Sequence, residues 1–144
     1  MIDIVNSTVQ AVNAGGGVVF GTPRINTGCT VRHEAGTSRF ALLKPGIYQV
    51  TFTGNIALPA GGVVGEIDVG ISVDGDVIEG TEAAFTPAAV SEYGNVALTA
   101  LVRVYGCNGC GANVSVAVVN TSGVAIDVRD ANLIIDRKCG GGAA

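Results

Sequence analysis

KPGIYQVTFTGNIAL, residues Lys44 to Leu58, is the stretch that decides the fold. A Pro-Gly turn launches a run in which apolar and polar residues alternate. Tyr48, Val50, Phe52, Ile56 and Leu58 fall on one face, and Gln49, Thr51, Thr53 and Asn55 on the other. Period-two alternation predicts a strand with one face in a core and one toward water or a partner.

Outward from this strand the same grammar repeats between turn signals, with no helical periodicity longer than about two turns. Upstream lie Ile4 to Val12, with Ile4, Val5, Val9 and Val12 as its apolar members, then Gly15-Gly16-Gly17 before Val18-Val19-Phe20. Cys29 to His33 and Ser38 to Leu43 are short candidates. Downstream, Pro59-Ala60-Gly61-Gly62 ends the long strand. Glu66 to Asp74 alternates with Ile67, Val69, Ile71 and Val73 inward, and Asp74-Gly75 signals a two-residue hairpin leading to Val77-Ile78. A polar, Pro-containing stretch from Gly80 to Val90 precedes Asn95 to Tyr105, where Val96, Leu98, Ala100, Val102 and Val104 share a face. Ala112 to Asn120, Val124 to Val128 and Ala131 to Arg137 complete the set. About nine or ten strands with turns at short intervals predict an all-β, antiparallel sandwich or barrel. It is expected to form a single domain over residues 1–139, followed by a disordered tail at 140–144.

Composition narrows the function classes. Hydrophobic residues make up 48% of the 144-residue chain and charged residues only 14%, against about 25% charged in ordinary soluble domains. So little charge predicts that part of the surface is covered by other subunits. The net charge of -4 argues against nucleic acid, whose binding rests on clustered Lys and Arg. Between Lys44 and Arg103 no basic residue occurs, whereas Glu66, Asp68, Asp74, Asp76, Glu79, Glu82 and Glu92 do, so one region of the surface is expected to be negative. Neither a basic leader nor a membrane-length apolar run is visible, and synthesis in a cytoplasm with no membrane partner is expected.

No convincing catalytic set emerges. His33, the only histidine, sits in VRHEAG beside Glu34, with no nucleophile motif to serve. Cys107-Asn108-Gly109-Cys110 reads as a hairpin tip. The alternatives are a disulfide through Cys107 or Cys110, half a metal site lacking matched ligands in Cys29, Cys139 or His33, and a bridge between subunits. Asp74, Asp76 and Glu79 lack the spacing of a calcium loop, which leaves only a weak calcium site where acids gather. Carboxylate pairs for glycoside hydrolysis come with no aromatic platform, at 5% aromatic content. The chain therefore reads as a non-enzyme without a cofactor.

The order FALLKPGIYQVTF, Phe40 to Phe52, resembles the hallmark of complement globular-head and tumour-necrosis-factor-like jelly rolls, where an aromatic residue precedes a Pro-Gly turn and a Tyr-containing strand. VVFGTPRINTGCTV and ANLIIDRK fit the same pattern. The segments VNSTVQAVNAGGGVVF, GNIALPAGGVVGEIDVGISVDG, TPAAVSEYGNV and VSVAVVNTSGVAIDVRDANLII are similar to bacterial and phage members of that fold: spore-surface collagen-like glycoprotein C-terminal domains and phage head-fibre or decoration proteins. The likeness runs from Asn6 to Lys138. It implies a ten-strand jelly roll forming a homotrimer, one sheet facing the threefold axis. A Gly-X-Y stalk is absent, which favours a capsid-exterior decoration or head-fibre module on a virion over a spore-coat or cell-surface carbohydrate-binding domain. The implied partners are further copies of the chain, a capsid protein, and a bacterial-surface or mucosal glycan. Tyr48, Phe52, Phe85, Tyr93 and Tyr105 are the candidates for the trimer core. Gly61-Gly62-Val63, Asp74-Gly75 and Cys107 to Cys110, with Asn108 and Gly109 between them, are the candidate recognition tips.

Overall fold

The computed structural model describes residues 1–106 and 114–140. They form two six-stranded antiparallel sheets and no helix. The first sheet, A, runs in the order β10 (Gly94–Val104), β6 (Gly46–Ala57), β12 (Ile126–Gly140), β1 (Ile2–Asn6), β3 (Thr22–Asn26), with β2 (Gln10–Val12) also on β12. The second, B, runs β4 (Val31–His33), β5 (Phe40–Leu42), β11 (Val114–Asn120), β7 (Ile67–Val73), β8 (Asp76–Val77), with β9 (Ala83–Phe85) also on β7.

The alternation in β6 is realised as read. Tyr48, Val50, Phe52, Ile56 and Leu58 are buried, and Gln49, Thr51, Thr53 and Asn55 are half-buried on the opposite face. β10 and β12 flank β6 in register along almost its whole length. The inward faces of both sheets meet in one core, in which Phe20 packs edge-on against Phe40 at 5.7 Å and Phe52 at 6.4 Å between ring centroids. That edge-to-face geometry matches the ring quadrupoles.

At one end of the core the Tyr48 hydroxyl donates to the Lys44 carbonyl at 2.7 Å. Arg137, whose register partner is Tyr48, donates through Nε to the Pro45 carbonyl at 3.1 Å and through a second guanidinium nitrogen to the same oxygen. The Pro-Gly turn is thus tied to the last strand of the sheet it opens. At the β7–β8 hairpin, Asp74 (φ 52°) and Gly75 (φ 92°) both take positive φ, as a type I′ turn demands. Among the described residues, no buried side-chain polar atom lacks a hydrogen-bond partner. Asn120, 1% exposed, donates to the carbonyls of Val12 and Val124 and accepts from the Ser122 amide, stitching three segments together.

Several expectations need correction. Ile4 to Val12 is not one strand. It divides into β1 and β2, and Val9 is exposed because Ser7-Thr8 interrupts the pairing with β12. Ile126 to Val128 and Ala131 to Arg137 belong instead to a single strand, β12, with Val124 and Ala125 in the turn before it and a bulge where Asp130 takes φ 53°. β3 and β9 were not anticipated: Pro23 places β3 at an edge, where a missing N–H costs nothing. The expected tail begins one residue too early, since β12 extends to Gly140; residues 141–144 lie outside the described ones.

Two predictions follow from this core. Phe52→Ala should lower unfolding free energy by about 3–5 kcal/mol, while Thr53→Ala, on the outward face, should stay within about 1 kcal/mol; urea titration reads both. Desolvation raises the Tyr48 phenol pKa, opposed by its bond to Lys44 and by the Arg137 charge. Its contribution to stability is therefore intact below the unfolded phenol's pKa of about 10 and is lost as pH rises beyond it. The alkaline decline in stability should be shallower in Tyr48→Phe.

Candidate functional site

The residue most suited to catalysis is engaged structurally. The His33 ring stacks on Phe40 with centroids 4.1 Å and planes 15° apart, and its Nε2–H donates to the Thr37 carbonyl at 2.9 Å. It closes the rim of the core under the Glu34–Thr37 turn, and among the described residues no serine or cysteine is hydrogen-bonded to it. Asp74 is likewise committed: its Oδ1 accepts from the Ser115 amide at 2.9 Å and its own amide donates to the Ser115 carbonyl at 2.8 Å. This locks the hairpin tip to β11. Among the described residues, no three of His, Cys, Asp and Glu converge where a metal ion could sit.

The five aromatic candidates separate by position. Tyr48 and Phe52 are wholly inside the protomer, so neither can touch a neighbouring copy; they were expected at a trimer core, but the inward parity of β6 consigns them to the sandwich. Phe85 reaches from sheet B to lie flat on Gly94 of β10, where a Cβ would come within 2.6 Å of the ring. Tyr93 lies under the Arg129 guanidinium at 4.1 Å. Tyr105 is 76% exposed beside Arg103, at 5.0 Å. Of the tips, Gly61 takes φ 86° and Val63 is 86% exposed. Cys107, Asn108, Gly109 and Cys110 lie outside the described residues.

Two outward sheet faces offer extended surfaces, and they differ in chemistry. On sheet A the strand register lines up rows of side chains: Thr99, Thr51, Ile134 and Asp3 in one, and Ala97, Thr53, Asn132 and Val5 in the next. Asn95, Asn55, Gln49 and Leu101 extend the field. Leu101, 67% exposed on the edge strand β10, stands in the row of Gln49 and Asp136, whose carboxylate pairs with Lys138 at 3.1 Å, and Arg129 stands beside Asn55, so charge borders the two uncharged central rows. Thr51 and Thr99 share a hydrogen bond at 3.1 Å, and Asn95 donates to Asn55 at 3.3 Å. The one acid in the Thr99–Thr51–Ile134 row, Asp3, is only 6% exposed. It accepts from Asn132 at 2.6 Å and pairs with Arg24 at 3.0 Å, so its charge is neutralised locally.

On sheet B two adjoining depressions, of about 420 and 920 Å³, share Ser38, Arg39 and Ser115 and form one trough across the strands. Its floor is built of short side chains: Ala41, Ser72, Ser115 and Ala117. At Gly17, which bridges to Val119 of β11, a Cβ would fall 2.5 Å from the Ser38 hydroxyl, so glycine is what lets Ser38 pack against that segment. Arg32 and Arg39 stand at one side, where Glu34 also lines the depression, and Asp74 at the other, with Asp76, Glu79 and Glu82 beyond it. The charge asymmetry of the sequence becomes a gradient across one sheet face. Arg32, Arg39, Ser72 and Ser115 were not singled out from sequence. They come from distant segments, and only strand pairing joins them.

No protein-family profile and no curated protein matches the chain. Among solved structures it is similar to murine APRIL, in a crystal at pH 5.0 (TM-score 0.56, 11% identity, 88% of this chain and 95% of that one) and in one at pH 8.5 (TM-score 0.52, 12% identity, 88% and 96%). A more distant likeness joins it to the CBM35 from Cellvibrio japonicus Abf62 (TM-score 0.40, 11% identity, 96% and 99%), too low to carry an argument.

If His33 is a structural plug, His33→Ala should lower stability by about 1–3 kcal/mol, the cost of lost packing and a lost hydrogen bond. Thermal or urea unfolding measures it. The far-UV spectrum of the folded variant should be unchanged. Together the likeness to APRIL and the two packed sheets establish an all-β jelly-roll sandwich.

Proposed function

We propose that the chain is a non-enzymatic structural and binding module that works as a homotrimer, with the outward face of sheet A turned to the threefold axis and that of sheet B turned to solvent. One observation carries the reading: the two central rows of the sheet A face, Thr99–Thr51–Ile134 and Ala97–Thr53–Asn132, are uncharged, and a largely exposed Leu101 borders them on the edge strand β10. Water-facing sheets usually carry charges at such positions, and a broad neutral face is the mark of a contact surface. The 14% charged content supports the same conclusion for the chain as a whole. Thr51 hydrogen-bonds Thr99, and Asn95 hydrogen-bonds Asn55, which lowers the desolvation cost of covering them with a second copy.

The finer reading places this trimer on the exterior of a phage virion, as a decoration or head-fibre protein made in the host cytoplasm. It rests on the resemblance of the segments from Asn6 to Lys138 to phage members of the fold. The runner-up, a spore-coat or cell-surface carbohydrate-binding domain, draws on the sheet B trough, which leaves room for a ligand. The two are separated by cosedimentation: a decoration protein travels with capsids prepared from its host, and a free cell-surface module does not.

Native mass spectrometry at micromolar concentration should give three times the mass of the chain. Leu101→Glu, which would place an unpaired carboxylate in the contact at a cost of several kcal/mol, should give monomers with an unchanged β-sheet spectrum. A wild-type monomer at that concentration would refute the covered-face reading.

A further inference from the structure

We propose that the trough on sheet B binds an oligosaccharide carrying a single carboxylate at one end, the acid seated between Arg32 and Arg39 and the neutral rings lying over the Ser72–Ser115 floor toward Asp74. This rests on the reading of the chain as a binding module and names the ligand class of its solvent-facing side.

The argument begins with what the trough presents. Its floor lies in the middle of a sheet, where backbone amides and carbonyls already pair across β5, β11 and β7. A peptide therefore finds no open strand edge to extend. The short floor residues also leave no deep apolar socket for a side-chain anchor. What remains is a shallow row of hydroxyls and methyls, suited to a flat, polyhydroxylated ligand.

The ends supply direction. Arg32 and Arg39 are exposed and, among the described residues, have no ion-pair partner. Guanidinium groups hold a carboxylate through paired N–H donors. In strand register Arg32 stands beside Ala41 and Ala41 beside Ser115, and Ser115 is hydrogen-bonded to Asp74. Three strand intervals of about 4.8 Å separate the arginine side from the Asp74 side, roughly 14 Å, the reach of a trisaccharide. Asp74 Oδ1 is occupied by the Ser115 amide, which leaves its exposed carboxylate able to accept from ligand hydroxyls. Beyond it Asp76, Glu79 and Glu82 repel a second negative group, so a polyanion is disfavoured and one terminal acid is favoured.

The test is isothermal titration of the full chain with 3′-sialyllactose and with a glucuronate-terminated trisaccharide, each beside its neutral counterpart (lactose and the glucose-terminated trisaccharide). At least one acidic sugar should bind at least about 10-fold more tightly than its neutral partner. Its affinity should fall as salt is raised and drop by about 10-fold or more in both Arg32→Ala and Arg39→Ala, and by several-fold in Ser72→Val. Heparin should not outcompete it. Equal binding of acidic and neutral sugars, no binding of either acid, or acid binding that survives Arg32→Ala/Arg39→Ala would overturn the proposal. Native mass of the same samples keeps the two readings apart: a trimer that binds no acidic sugar defeats only the trough assignment, and a monomer that binds one defeats only the oligomer.

Discussion

The register of β6 is the constraint on which the rest of the molecule depends. Clamped between β10 and β12, this strand cannot slip by one residue without turning Tyr48, Val50 and Phe52 out to solvent and Thr51 and Thr53 into the core. The Tyr48–Lys44 and Arg137–Pro45 hydrogen bonds hold one end of it, and the β12 bulge at Asp130 accommodates the other. With β6 fixed, the inward faces of sheet A are fixed, and Phe20, Phe40 and Phe52 have one arrangement in which to interlock.

From the same parity come the two outward faces. Sheet A ends with uncharged central rows of threonine, asparagine and aliphatic groups, bordered by the Asp136–Lys138 pair and by Arg129. Sheet B ends with a graded one, basic on the β4–β5 side and acidic past β7. A single sandwich thus carries two surfaces of opposed character back to back, one suited to being covered and one to staying wet. Glycine contributes at close approaches, at Gly17 against Ser38 and at Gly94 under Phe85, where any side chain would force the layers apart.

What could be read in advance was whatever depends on local pattern. β6, β7 and β10 alternate cleanly, and Asp74-Gly75 allows hardly any other turn. β3 and β9 carry no such signal, because they are short pieces without alternation. β3 is exposed at every position and exists because β1 offers it an edge. The break expected after Val128 was a bulge inside a strand, which a sequence cannot distinguish from a turn when Arg-Asp-Ala is all it displays. The candidate surfaces were harder still. The uneven run of acids announced a negative region, but its opposition to Arg32 and Arg39 across one sheet arises from pairing among β4, β5, β11 and β7. Aromatic residues are ambiguous in a different way: Tyr48 and Phe52 read as candidates for the trimer core, yet their alternation commits them to the interior of one protomer.

The central claim, that the outward face of sheet A is covered by other copies while the rest of the surface remains wet, is tested most directly by hydroxyl-radical footprinting of the native protein across a dilution series. At high concentration Leu101 should be protected, and its labelling should climb as dilution separates the copies, while exposed Val63 labels equally throughout. Leu101 labelling as readily as Val63 at every concentration would contradict the account.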